Sequence, residues 1–106
     1  MTTLSTHVLD VERGMPAAGV PVRLFHSETQ VSWAQTNDDG RIALLATIDA
    51  GVYRIVFDAD VYFAAQGRSA PFLKRVSIEF EVSVGAAHYH VPLLLSAYAC
   101  TSYRGS

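Results

Sequence analysis

The sequence predicts an all-β fold, a small antiparallel β-sandwich of seven to eight strands with one short helix. Three observations carry that reading. The dominant hydrophobic period is two rather than 3.6: over residues 76–84 every even position (Val76, Ile78, Phe80, Val82, Val84) is apolar and every odd one polar, the pattern of a half-buried strand. Turn signals recur at short intervals, at Arg13-Gly14-Met15-Pro16, Asn37-Asp38-Asp39-Gly40 and Asp49-Ala50-Gly51. A single stretch has a helical composition. A chain of 106 residues suits one domain, spanning 1–106, and many short strands separated by turns within one domain stack as two sheets.

In chain order, residues 4–11 form an opening strand that ends at the first turn signal. Val20, Val22 and Leu24 alternate with Pro21, Arg23 and Phe25 in a second strand. The stretches 31–35 and 41–45 flank Asn37-Asp38-Asp39-Gly40, where glycine supplies a positive φ. Tyr53, Ile55 and Phe57 alternate with Arg54, Val56 and Asp58. The helix is expected over 60–67, with an acidic start, alanines within and Gly67 at its end. The strand 76–84 follows, and a last one begins at His88 with Tyr89, Val91, Leu93 and Leu95 as its core face.

Half of the residues are hydrophobic, a high share for a small domain, and this predicts that other subunits cover part of the surface. The formal charge is −2 and no basic run occurs, so no nucleic-acid partner is expected. No apolar run reaches 18 residues, so no membrane span is expected. Met1-Thr2-Thr3-Leu4-Ser5 lacks the charged and apolar regions of a secretory signal. Cys100 is the one cysteine and has no internal partner, which suits a reducing compartment; cytoplasm is the expected location.

Four histidines supply candidate chemistry: His7, His26, His88 and His90. His88 and His90 are two apart on a strand, so both side chains share one face. Such a pair serves proton transfer, binds zinc or copper with a third ligand such as His7, or is plain surface, and spacing leaves the three open. Arg41 directly follows the Asp-Gly turn, and Arg104 stands close enough to the C-terminal carboxylate to pair with it. Cys100 has no neighbour in sequence that would make it a thiolate.

Longer motifs add a resemblance. Leu4-Ser5-Thr6-His7-Val8-Leu9-Asp10 with Gly14-Met15-Pro16-Ala17, then Thr36-Asn37-Asp38-Asp39-Gly40-Arg41, then His88-Tyr89-His90-Val91-Pro92-Leu93-Leu94-Leu95-Ser96, and the closing Tyr103-Arg104-Gly105-Ser106 resemble the transthyretin-like family over nearly the whole chain. The closing tetrapeptide resembles its 5-hydroxyisourate hydrolase branch rather than its hormone carriers. Two departures stand out. Ala97 replaces a frequent proline, an exchange expected to loosen the last bend, and Phe72-Leu73-Lys74-Arg75-Val76 replaces a Tyr-Pro-Glu type of sequence.

The resemblance implies a transthyretin-like (prealbumin-like) sandwich assembled as a homotetramer, a dimer of dimers, with clefts at the dimer–dimer interface. It implies hydrolysis of the small molecule 5-hydroxyisourate to 2-oxo-4-hydroxy-4-carboxy-5-ureidoimidazoline in urate degradation, with no cofactor and no metal. Carried over by position, the catalytic set is His7, Arg41, His90 and Ser106, and the substrate-binding set is His7, Arg41, Tyr103, Arg104 and Gly105. These types suit ring opening by water: an imidazole takes a proton near neutral pH, and a guanidinium holds a developing oxyanion. The competing expectations are a non-enzymatic ligand carrier of the same fold, a His-x-His metal-binding module and a generic interaction domain.

Overall fold

Over residues 1–105, which the computed structural model describes, the chain forms ten strands and one helix arranged as two facing sheets. The first sheet is centred on β1 (Thr2–Asp10). One edge of β1 pairs antiparallel with β5 (Arg41–Ile48) and then with β2 (Met15–Pro16). The other edge pairs in parallel with β8 (His88–His90) and β9 (Leu93–Leu95), and β10 (Cys100–Ser102) runs antiparallel to β9. The second sheet is fully antiparallel, in the order β4 (Thr29–Gln35), β3 (Pro21–His26), β6 (Gly51–Phe57), β7 (Val76–Val82).

The sandwich and its single helix are as expected, and the differences have local causes. The last strand is split because Pro92 has no N–H to give to a ladder, leaving β8 and β9 on either side of Val91 and Pro92. Both lie parallel to β1, a pairing that alternation alone does not reveal. The strands flanking Asn37 to Gly40 do not form a hairpin: β4 belongs to one sheet and β5 to the other, so this turn carries the chain between layers. The alternating run stops at Val82, since Ser83 to Gly85 turn away and leave Val84 91% exposed.

The core lies between the sheets. In β1 the even residues point inward, with Leu4 and Val8 fully buried, and the odd residues Thr3, Ser5, His7 and Leu9 form the outer face. Val20, Val22 and Leu24 of the second sheet's side, with Ile55 and Phe57, are fully buried against Leu93 and Leu95. Helix α1 (Ala59–Ala65) starts one residue earlier than expected and buries Tyr62 and Phe63. Its first residue follows Asp58, whose carboxylate makes no cap because Arg23 holds it at 2.8 Å. It ends where Gly67 takes φ +67° and Arg68 N–H reaches the Phe63 carbonyl at 2.9 Å, a glycine-terminated helix end.

Candidate active site

Two structural devices on the outer face of the first sheet bring His7, Arg41 and His90 together. The first is an irregularity in β5. Between the pairs Leu4 with Ala46 and Thr6 with Ile42, β1 advances two residues while β5 advances four. A bulge re-aims side chains and interrupts pairing, and here it opens a groove of about 270 Å³ beside Ser5, Arg41, Ala43, His88 and His90. Ser32 of the facing sheet donates its hydroxyl to the Leu45 carbonyl and so ties the bulge down.

The second device is the turn before β5. Asn37 Oδ1 accepts from the N–H groups of Asp39 at 3.0 Å and Arg41 at 2.9 Å. Gly40 sits at φ +74°, and a Cβ there would stand 2.4 Å from the Val8 carbonyl oxygen. Glycine is therefore required twice over, for conformation and for close approach. The result is that Arg41 lies directly opposite His7 across β1 and β5. His7 Nε2 is 2.9 Å from the Asp39 carbonyl oxygen. A carbonyl only accepts, so Nε2 carries the hydrogen and the neutral ring keeps its lone pair at Nδ1.

His90 is held from two sides. Its Nδ1 is 2.7 Å from Ser5 Oγ, which also lies 2.9 Å from His88 Nε2, and Thr3 Oγ1 is 2.6 Å from His88 Nδ1. On the other side, Gly105 N–H donates to the His90 carbonyl at 2.7 Å. A Cβ on Gly105 would meet His90 Cδ2 at 2.5 Å, so only glycine lets the C-terminal segment lie against this ring. Burial of His90, followed by the charges of Arg41, His7 and His88, pushes its pKa below the usual histidine range. His90 is accordingly a neutral imidazole at neutral pH, with Nε2 as the nitrogen not engaged by Ser5.

The family model for the HIUase/Transthyretin family matches residues 4–105. The chain belongs to this family. It is 45% identical over 114 residues to a 5-hydroxyisourate hydrolase of Mesorhizobium japonicum, covering 97% of this chain and 91% of the relative. Its fold superposes on the Klebsiella pneumoniae 5-hydroxyisourate hydrolase with a TM-score of 0.91, at 39% identity and full coverage of both chains. It also superposes on sea bream transthyretin in complex with thyroxine, with a TM-score of 0.87 at 31% identity, covering 97% of this chain and 94% of that one. The fold is thus the transthyretin-like sandwich.

Within this family fold the expected site residues separate into two places. His90 and Arg41 line the groove, His7 stands beside Arg41, and Gly105 braces His90. Tyr103 and Arg104 instead line an apolar cavity of about 330 Å³ with Ile78, Phe80, Tyr89 and Val91. There the Arg104 guanidinium lies 4.0 Å above the Tyr89 ring, a cation–π contact. Ser106 lies outside the described residues. Among the described residues no three histidine, cysteine or acidic side chains converge in a metal-binding arrangement. At Ala97 the last bend carries a tie that proline could not make: its N–H donates to Glu12 Oε2 at 2.5 Å.

Ser5, Thr3, Asn37 and the Asp39 carbonyl were not anticipated as parts of the site. Ser5 had one available signal, since it shares the outward face of β1 with His7. Its contact with the two histidines depends on the parallel register of Ser5 with His90, which no local pattern announces.

Proposed function

We propose that this chain is a 5-hydroxyisourate hydrolase, opening the cyclic amide of 5-hydroxyisourate to 2-oxo-4-hydroxy-4-carboxy-5-ureidoimidazoline. The observation that carries the reading is the neutral His90 in a groove shared with Arg41 and flanked by His7, in a chain that matches the family over residues 4–105. His90 Nε2 accepts a proton from water as the oxygen attacks the ring carbonyl, and His7 Nδ1 orients that water by accepting its second hydrogen. Arg41 donates to the carbonyl oxygen as it gains charge. Collapse breaks the C–N bond, and the proton on His90 Nε2 passes to the leaving ring nitrogen. Gly105 keeps the C-terminal segment on His90; Tyr103 and Arg104 line the neighbouring cavity within one chain, and with Ser106 they are assigned to substrate contact in the assembly described next. The chemistry needs no metal or other cofactor.

We place the working enzyme in a homotetramer, a dimer of dimers. The outer edges of β7 and β10 are unpaired among the described residues, and Trp33, Leu44 and Tyr103 are each more than half exposed, an arrangement that suits subunit contacts. The apolar cavity carrying Tyr103 and Arg104 lies along those edges, where a second copy brings its own C-terminal segment. Sizing chromatography near four times 11.5 kDa supports the assembly, and elution as a monomer contradicts it. The cytoplasm suits its exposed free Cys100.

Producing 5-hydroxyisourate from urate with urate oxidase and following its ultraviolet decay tests the activity. Acceleration proportional to protein concentration and unaffected by EDTA is expected. Saturable thyroxine binding without acceleration would instead make the chain a carrier, and acceleration abolished by EDTA would make it a metalloprotein.

A further inference from the structure

Thr3, Ser5, His88 and His90 form an unbroken chain of side-chain contacts at 2.6, 2.9 and 2.7 Å. It runs from an exposed histidine into the groove. Resting on the hydrolase reading above, we infer that Ser5 and His88 are a proton relay behind His90, moving the charge of the activated base out to His88 while the tetrahedral intermediate exists.

Donor counting gives the chain a direction. A basic His90 needs its lone pair at Nε2, so the ring hydrogen is on Nδ1 and is donated to Ser5 Oγ. Ser5 has one hydrogen and gives it to His88 Nε2. His88 then carries its hydrogen on Nδ1 and donates it to Thr3 Oγ1, whose own hydrogen points to the Ala87 carbonyl 3.5 Å away. Every ring nitrogen and both hydroxyl hydrogens are assigned, with no donor facing a donor.

The transfers balance in both halves of the reaction. When His90 Nε2 takes the proton from water, the Nδ1 hydrogen moves to Ser5 as the Ser5 hydrogen moves to His88 Nε2. His90 is left neutral with hydrogen on Nε2, Ser5 is again a hydroxyl, and His88 is an imidazolium. When the Nε2 hydrogen passes to the leaving nitrogen, both shifts reverse and the chain is reset. The reason for the relay is electrostatic. An imidazolium at His90 is partly buried and faces Arg41 and His7 as well as His88, whereas His88 is exposed to water. Holding the positive charge on His88 moves it away from the guanidinium that stabilises the oxyanion. Ser5 and His88 touch no reacting atom, so they are positioning residues for His90.

Ser5→Ala, Ser5→Thr and His88→Asn variants test this with two readouts. In the coupled assay, Ser5→Ala and His88→Asn are expected to lower kcat roughly tenfold to a hundredfold with KM little changed, and Ser5→Thr to restore it. Rates in H2O–D2O mixtures should curve for the wild type, as several protons move together, and become linear for Ser5→Ala. The second readout needs no substrate: nitrogen-15 NMR of the histidine rings should show His90 with hydrogen on Nδ1 in the wild type and a tautomer mixture in Ser5→Ala. A wild-type chain that does not hydrolyse 5-hydroxyisourate overturns the hydrolase reading and the relay's purpose, while the NMR still decides whether the hydrogen-bond chain is real. Hydrogen on Nε2 in the resting wild type, unchanged kcat in both Ser5→Ala and His88→Asn, or equal loss in Ser5→Ala and Ser5→Thr each overturns the relay.

Discussion

His90 shows how its surroundings turn an ordinary imidazole into a base. Ser5 takes one ring nitrogen, Gly105 presses on the carbon side, and burial, followed by the charges of Arg41, His7 and His88, makes the charged form unfavourable. The contact with Gly105 is the most sensitive of these to a small change. Gly105→Ala places a methyl 2.5 Å from Cδ2, and the terminal segment has to leave the ring. We expect activity to fall at least tenfold while the urea midpoint moves little, because that segment contributes almost nothing to the core. Steady-state kinetics beside an unfolding curve checks this. The histidines and Arg41 were legible as motif positions. Which nitrogen each ring uses was not, because Asp39 and Ser5 are brought to them by pairing between segments distant in sequence.

At the level of elements, the bulged β5 and the turn at Gly40 aim Arg41, and a buried charge network fixes the segments at the far end of β1. Asp10, fully buried, accepts from Tyr62 Oη at 2.7 Å, from Arg68 Nη1 at 2.6 Å and from the N–H groups of Glu12 and Arg13. Burial alone would raise the Asp10 pKa, but the bonds from Arg68, Tyr62 and the Arg13 N–H, with the Arg68 charge, outweigh it and hold the carboxyl below the usual range. Glu12 extends the network to Arg68 at 3.3 Å and to the Ala97 N–H, so helix α1, the end of β1 and the bend before β10 are joined. A carboxyl with a lowered folded pKa contributes stability above its unfolded pKa, about 3.9, and that contribution is lost as pH falls through the folded value. Tyr62→Phe is expected to lower stability near pH 7 by about 1.5–3 kcal/mol and to shrink the acid-dependent part, since one of the bonds lowering the pKa is gone. Urea midpoints at neutral and acid pH read both effects; an unchanged neutral midpoint would remove Tyr62 from the network. Short-range signals exposed the strands and the helix, since alternation and a terminal glycine are local. Asp10 sat in plain sight within a family motif, yet its partners come from 52 and 58 residues away.

For the whole molecule, the sandwich presents one sheet face as a reactive surface and leaves the outer edges of β7 and β10 unpaired among the described residues. The architecture was legible because a period-two chain of this length has few ways to bury its apolar face. The parallel insertion of β8 and β9 beside β1 was not, because parallel pairing leaves no turn signature between its strands. That insertion brings His88 and His90 from the last fifth of the chain to Ser5 in the first strand. The measurement that bears most directly on the site is the decay of enzymatically generated 5-hydroxyisourate with wild-type and His90→Asn proteins across pH. A base must be neutral to act, and the His90 pKa is lowered, so the part of the wild-type acid limb that reports His90 should lie below the ordinary histidine pKa of about 6.5. The His90→Asn protein should be slower by roughly 10²–10⁴ at every pH where the wild type is active. Equal acceleration by the two proteins would contradict His90 as the base.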